Sequence, residues 1–325
     1  MCKKYYTLVA VVVAIVLLLI AGNAEMVEKK GITIGFIQRT MEAPYYVAMW
    51  DTMSKMAIEQ GFELVALNSA LDTSTHAKQV EDIIARKVDA VIINAVDPGT
   101  EKDIDQQVID AGIPLIFIDT YVEGMDVVGI VRSDNVAIGR EAGKMFAERF
   151  KGKKIKLAIL QGSPTDILVG PYREKGFLEG LNAAKADYEI VATGYAKYTH
   201  ELGLRVTEDL MVAHPEINAI FAYNDSMALG AMAALKAANR TDVLLAGIDG
   251  QKEAFAEIDK GGCTGQYVSS GLNSPVLAAE QSVELAMKAI TGELPKSEWG
   301  KTIFTKAVGV NCMNIKEYYD PKSIF

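Results

Sequence analysis

The sequence predicts an α/β protein of two lobes, each built on a doubly wound parallel sheet. Three observations carry this. From residue 31 onward, short apolar runs alternate with helical patterns. The runs are continuously apolar rather than alternating, which marks strands covered on both faces, as in a parallel sheet. The whole scheme then repeats in the second half of the chain.

In the first half, "ITIGFIQ" (32–38), "FELVALN" (62–68), "AVIINAV" (90–96) and "IPLIFID" (113–119) read as strands, with helices near 45–60, 74–87 and 101–111. Gly61 is a suitable stop for the first helix. In the second half, "VVGIVRSD" (127–134) leads into a helix over 135–150. "IKLAILQ" (155–161), "YEIVATGY" (188–195), "AIFAYN" (219–224) and "VLLAGID" (243–249) follow as strands with helices between. No Pro/Gly/Ser-rich linker separates the halves, and 120–134 is itself strand-like, so a short hinge is expected rather than a floppy tether. Toward the end, "TGQYVSSGLN" reads as a strand, "SPVLAAEQSVELAMKAITG" as a helix and "IFTKAVGV" as another strand. This section must revisit both lobes to complete them. The expected division is 31–133 plus about 274–302 for the first lobe, and 134–273 plus about 303–325 for the second.

The N-terminus has the layout of a secretory signal: "MCKKYY", then the apolar "TLVAVVVAIVLLLIAG", then a small-residue cleavage site after Ala24. A signal peptide over 1–24 is expected, with an uncleaved anchor as the alternative. Either way the remainder is exported, to a periplasmic or other extracytoplasmic location. Half of the 325 residues are hydrophobic, enough for a large core, and the net charge of −9 argues against a nucleic-acid partner. Cys2, Cys263 and Cys312 are far apart with no CxxC pair, which disfavours structural zinc. Cys263 and Cys312 are read as free thiols, although an oxidising compartment would allow them to pair. His76, His200 and His214 read as surface or loop residues.

Ligands of open parallel sheets sit outside the carboxyl ends of the strands. Those ends carry Gln38, Asn68, Asn94 and Asp119 in the first half, and Gln161, Asn224 with Asp225, and Asp249 in the second. Amides and carboxylates of this kind suit neutral polyhydroxylated ligands, since Asp accepts hydroxyl protons and Asn both donates and accepts. Tyr45 and Tyr46, after Pro44, and Tyr198 offer rings for the apolar face of a sugar. At "AIFAYNDSMALGA" (219–231), Asp225 is expected to serve the helix start and Asn224 to face the ligand. No GxGxxG follows the first strand, and GxxxxGK[ST], HExxH and GxSxG are absent. Neither a cofactor, a metal nor a catalytic set is expected, so the chain does not read as an enzyme.

The stretches "PYYVAMWDTMSKMAIEQGFEL", "DAVIINAVDP", "AGIPLIFIDT", "VRSDNVAIGREAGK", "LQGSP…YREKGFLEGL", "AHPEINAIFAYNDSMALGAMAAL" and "VLLAGIDG" resemble the type I periplasmic sugar-binding proteins of ABC transporters, in their ribose-binding branch. The resemblance covers nearly all of 31–310. It implies two Rossmann-like lobes joined by a three-stranded hinge, and a monomer that closes on a sugar or polyol and docks on a membrane permease. A ligand-presenting sensor for a membrane receptor, such as a chemoreceptor, is the alternative. Ligand-binding positions implied are Tyr45, Tyr46, Asn94, Asp119, Tyr198, Asn224, Asp249 and the hinge-side Asn273, with Ser133 at a crossing. The chain departs from ribose binders at Thr120 and Pro171, where they carry arginine, and at Ala43 beside Glu42. Losing two forked donors points away from ribose, to another monosaccharide or a sugar alcohol. A sugar-responsive transcription regulator shares the fold but needs an N-terminal DNA-binding helix-turn-helix, where this chain has an export signal.

Overall fold

A computed structural model describes residues 31–164 and 166–325; the signal expected over 1–24, with Cys2, lies outside these. In chain order the first sheet receives β1 (Thr33–Gln38), β2 (Glu63–Asn68), β3 (Ala90–Ile93), β4 (Leu115–Ile118) and β5 (Gly129–Ser133). Helices α1 (Pro44–Gln60), α2 (Thr73–Arg86) and α3 (Lys102–Asp110) connect them. The chain then enters α4 (Asn135–Glu148), β6 (Ile155–Gln161), α5 (Gly170–Ala183), β7 (Tyr188–Tyr195), α6 (His200–Ala213), β8 (Ala219–Ala222), α7 (Asp225–Ala237), β9 (Leu244–Asp249), α8 (Lys252–Gly261) and β10 (Tyr267–Leu272). It closes with α9 (Pro275–Thr291), β11 (Lys301–Thr305), β12 (Gly309–Asn311) and the short α10 (Ile315–Tyr318).

Two six-stranded sheets result, ordered β11-β5-β4-β3-β1-β2 and β12-β10-β9-β8-β6-β7, within one compact unit from Thr33 to Phe325. Every pairing is parallel except β10 with β12, which runs antiparallel. The two-lobed parallel architecture read from the sequence is therefore the observed one. The chain passes between the sheets at three places: from β5 into α4, from β10 into α9, and from β11 into β12. The run "IFTKAVGV", expected as one strand, is thus two strands in two sheets. Lys306 to Val308 make the crossing.

Local chemistry explains the boundaries. Pro44 opens α1 at its first turn, where its missing N–H costs nothing. Gly61 ends α1 in the left-handed conformation, φ 74°, with its N–H on the Ala57 carbonyl. Asp72, Asp134, Thr199 and Ser274 each cap a helix by accepting a backbone N–H. Central strands β1, β3, β4 and β8 are buried along their whole length, whereas the edge strands β2 and β7 are partly exposed. In the second lobe Phe177 stacks on Phe221 with ring centroids 4.0 Å apart, joining α5 to β8. Helices α4 and α5 approach backbone to backbone. A Cβ on Gly139, Gly143, Gly176 or Gly180 would collide with main-chain atoms of the facing helix.

Two readings are corrected. Cys263 and Cys312 are not free thiols but a disulfide, with Cα atoms 5.1 Å apart across a separation of 49 residues. The antiparallel β10–β12 pairing, which the sequence did not reveal, brings Cys312 back beside the end of α8. Closing a loop of this length contributes about 4 kcal/mol on the chain-entropy account. His76 is not a surface residue but fully buried. It shares the inward face of α2 with Val80 and Ile83, the helical spacing that could have revealed it. Its Nε2 lies 2.7 Å from Asp105 Oδ1 and 4.0 Å from Glu101 Oε2. Burial lowers the His76 pKa, but the hydrogen bond to Asp105 and the two carboxylate charges prevail and raise it. The imidazole thereby ties α2 to α3.

Candidate functional site

The carboxyl ends of β1, β3 and β4 place Gln38, Asn94 and Asp119 side by side in the first lobe. Asn94 is fully buried, donates to Gln38 Oε1 at 2.9 Å and accepts the Thr120 N–H at 3.3 Å. Asp119 takes a positive φ of 61°. In the second lobe, Asp249 ends β9 with φ 125°, and Tyr198 lies in the loop after β7 with φ 62°. Non-glycine residues held in this region cost on the order of 1–3 kcal/mol each, and such strain concentrates at ligand sites. Here three of the expected contact residues carry it.

A continuous polar chain joins the two sheets through the hinge. The Tyr45 hydroxyl, at the start of α1, is 3.3 Å from Asp119 Oδ1 and 3.2 Å from Asn273 Oδ1. Asn273, just after β10, accepts from the Ser133 hydroxyl at 2.6 Å and donates to Asp249 Oδ1 at 3.0 Å. Asp249 Oδ1 in turn lies 2.9 Å from Arg173 Nη2. Ser133 Oγ also meets Thr305 Oγ1 at 2.7 Å, so side chains from all three crossings converge. Burial pushes the Tyr45 hydroxyl well above its ordinary pKa, and the charges of Asp119 and Asp249 add to this. It therefore stays protonated and serves as a donor at neutral pH. Tyr46 stands edge-on to Tyr45 at 5.4 Å between centroids, and the Phe325 ring meets Tyr45 from another side at 5.8 Å.

Asp249 is pushed up to about 7, first by burial and further by the charges of Asp225 and Asp119, against the opposing pull of Arg173 and the Asn273 hydrogen bond. Arg173 stays charged despite its burial, because Asp249 and then Tyr198, Asp119 and Tyr45 favour the cation. Two of its other donors go to Asn135 Oδ1 at 3.0 Å and the Tyr223 carbonyl at 2.7 Å. The α4–α5 contact sets the base of this guanidinium, since Gly139 leaves room for the Arg173 backbone.

The roles expected within the Asn224-Asp225 pair are reversed in one respect. Asn224 is the helix cap of α7: its Oδ1 accepts the Met227 N–H at 3.0 Å, and its Nδ2 reaches the Tyr198 carbonyl at 3.2 Å. Asp225 is fully buried beneath the site. It accepts the Gly250 and Gln251 N–H groups, each at 2.8 Å, and the hydroxyls of Tyr267 at 2.6 Å and Ser270 at 2.8 Å. Asp225 thus holds the turn after Asp249 instead of its own helix. The Tyr198 hydroxyl donates to Asp166, and its ring covers Gly162, where any Cβ would strike it. Of the eight expected contact residues, Tyr45, Asp119, Asn273 and Asp249 lie in the one chain. Asn224 pairs with Tyr198, Asn94 with Gln38, and Tyr46 packs on Tyr45.

Arg39, Asp166 and Arg173 were not among them. Arg39 carries a sequence signal, being the residue immediately after a strand-end Gln38. Its Nη1 donates to Thr120 Oγ1 at 2.8 Å and its Nη2 to the Val96 carbonyl at 3.2 Å. A guanidinium thus lies against Thr120, supplied from the end of β1, with both Nη groups bonded to protein acceptors.

Comparison with known proteins supports the two-lobed fold. The model of the periplasmic binding protein domain matches residues 34–294. The ribose import binding protein of Bacillus subtilis is 35% identical over 231 residues, 71% of this chain and 73% of that protein. An ABC transporter solute-binding protein from Mycobacterium smegmatis with bound glycerol superposes with a TM-score of 0.81 at 30% identity, covering 90% of this chain and 98% of that one. One from Bacillus halodurans with bound myo-inositol gives 0.79 at 28% identity, with coverage of 90% and 98%. With two parallel lobes, three crossings and a polar site where they meet, the chain belongs to the periplasmic binding protein domain family, among its type I sugar-binding members.

Proposed function

We propose that this chain is the extracytoplasmic solute-binding component of an ABC transporter, capturing a monosaccharide or sugar alcohol between its lobes and delivering it to a membrane permease. The observation that carries this is the polar chain Asp119–Tyr45–Asn273–Asp249–Arg173, which runs from one sheet to the other. Its groups are carboxylates, an amide, a phenol and a guanidinium, chemistry matched to the hydroxyls of a neutral polyol. Tyr45, Tyr46 and Tyr198 offer rings to its C–H face. Asn94, Asn224 and the hinge-side Asn273 complete the polar contacts from both lobes. The disulfide fits an oxidising compartment. The relatives above are named as binding proteins, and the chain acts as a carrier rather than an enzyme.

Function follows from a population shift. Only with the lobes together do both touch the ligand, so the ligand stabilises that state, and the closed surface is what a permease reads. A thermal-shift panel of pentoses, hexoses, pentitols and inositols tests the reading. A true ligand at 100 times its Kd adds about 2.7 kcal/mol of stability. At least one sugar or polyol is expected to raise the melting temperature by several degrees. A flat response across the panel, with shifts from amino acids or organic anions instead, would contradict it.

A further inference from the structure

His76 and its partners form a titratable group in the first lobe, apart from the polar chain described above. His76, Ser69, Glu101 and Asp105 are all fully buried. Their hydrogen bonds fix where the protons are. Gln79 Nε2 donates to the Asn68 carbonyl at 2.8 Å, and Gln79 Oε1 takes the one hydroxyl proton of Ser69, also at 2.8 Å. Toward His76 Nδ1, 3.4 Å away, Ser69 Oγ is therefore an acceptor, and Nδ1 carries a proton. On the other side of the ring, Nε2 faces Asp105 Oδ1 at 2.7 Å and Glu101 Oε2 at 4.0 Å. A neutral imidazole has one N–H, already placed on Nδ1, so its bare Nε2 would turn a lone pair toward two carboxylates. A second proton, between Nε2 and Asp105 Oδ1, removes that repulsion and makes the ring a cation.

The two carboxylates depend on this cation differently. Asp105 Oδ2 is buried without a hydrogen-bond partner, so the ring alone holds this side chain among the described residues. Glu101 also grips the backbone: its Oε2 accepts the Val96 N–H and its Oε1 the Asp97 N–H, each at 3.0 Å. Val96 and Asp97 follow closely on Asn94, a sugar contact in the reading above. The ring charge thus reaches the site through Glu101 and this segment. Asp105 and Glu101 are the charged groups that act on His76, while the β2–α2 turn and α2 bring the neutral Ser69 and Gln79. Burial opposes the cation, but the hydrogen bond to Asp105 and the charges of Asp105 and Glu101 prevail, so the ring keeps its second proton above the usual 6.5. That contribution to stability is complete well below 6.5 and is lost as pH rises through the raised value.

We propose that His76 is a positioning residue for the site: doubly protonated, it holds Asp105 and Glu101 together, and Glu101 sets the segment of Val96 and Asp97 beside Asn94, so that sugar affinity falls when the ring loses its second proton. This rests on the cleft reading above. The test follows the His76 ring nitrogens by NMR from about pH 5 to pH 10, with the backbone amides of Asn94, Val96 and Asp97. The ring signals are assigned by their absence from His76→Gln. Calorimetry with D-ribose, xylitol and myo-inositol covers the same range for the wild type, His76→Gln and Asp105→Asn. At pH 6.5, where an unperturbed ring is half titrated, the His76 ring is expected to remain mostly doubly protonated. The three amides should shift with the same midpoint as the ring. Affinity for whichever probe the wild type binds should fall about 2–30-fold across that midpoint. Asp249 titrates as well, so the step that belongs to His76 is the one missing from His76→Gln. Asp105→Asn should move the ring, amide and affinity midpoints down together by about 1–3 pH units, whereas a purely structural loss would leave them in place. Should His76→Gln fail to fold, Asp105→Asn carries the comparison. A ring with a single proton at pH 6.5, amides that stay put through its titration, or an affinity profile unmoved in Asp105→Asn overturns the positioning role. Absence of binding by all three probes at every pH counts against the cleft reading instead, and the ring and amide signals then decide whether His76 sets the segment.

Discussion

Replacing Asp225 by Ala is expected to destabilise the protein by roughly 4 kcal/mol and to lower its melting temperature by on the order of 10 °C. The carboxylate is fully buried, and four groups donate to it: two backbone N–H groups, at Gly250 and Gln251, and the hydroxyls of Tyr267 and Ser270. Burial raises its pKa, and these donors oppose that rise. Removing the acceptor strands donors that cannot all turn to one another, each at about 1–3 kcal/mol before relaxation. The space beside it is already tight: a Cβ on Gly247 would strike Asp225. Because the freed turn directly follows Asp249, sugar affinity should fall together with stability. Urea unfolding of the variant measures the first effect and calorimetry the second. A loss under about 1 kcal/mol would mean that the donors find other partners.

The second large effect is expected at Arg173. Arg173→Met keeps the length of the side chain but leaves Asp249 buried without its cation, a change of about 3–5 kcal/mol. The loss should depend on pH. In the wild type Asp249 is raised from the usual 3.8 to about 7, so its contribution to stability is present below the lower value and is lost as pH rises through the higher. Arg173 is what holds that rise back. Without it the carboxyl titrates higher still, and the penalty of the variant should grow between about pH 6 and pH 8.5. Denaturant unfolding at both pH values checks this. A penalty equal at the two would show that Asp249 does not respond to Arg173.

Much of the fold was legible because parallel strands announce themselves. "TIGFIQ", "AVII" and "LIFI" are apolar throughout, and all three are buried along their length. Helix ends were legible where a single residue decides them, as at Pro44 and Gly61. The C-terminal section was less so. Local pattern cannot tell that Thr305 and Gly309 belong to different sheets, because strand partners are chosen by tertiary packing. The disulfide followed from that same unseen pairing.

Strand-end chemistry pointed to residues that the structure brings together, but not to the division of labour among them. Asn224 and Asp225 differ by one position, and capping chemistry suits either. The structure gives the cap to Asn224 because Asp225 points into the sheet, where Tyr267 and Ser270 from β10 meet it. Arg39 escaped notice because only the position after Asp119, where Thr120 replaces an arginine, was compared. In three dimensions Arg39 reaches Thr120 from the end of β1, with β3 lying between β1 and β4.

The central claim is that a neutral polyhydroxylated solute lies between the lobes. A crystal structure grown with the strongest stabiliser from the thermal-shift panel tests it most directly. The account predicts density for that sugar or polyol between the Tyr45–Tyr46 pair and Tyr198, with hydroxyls on Asp119 from one lobe and on Asp249 or Asn224 from the other. Density for the compound on the outer surface, or within a single lobe out of reach of Asp119, would contradict it.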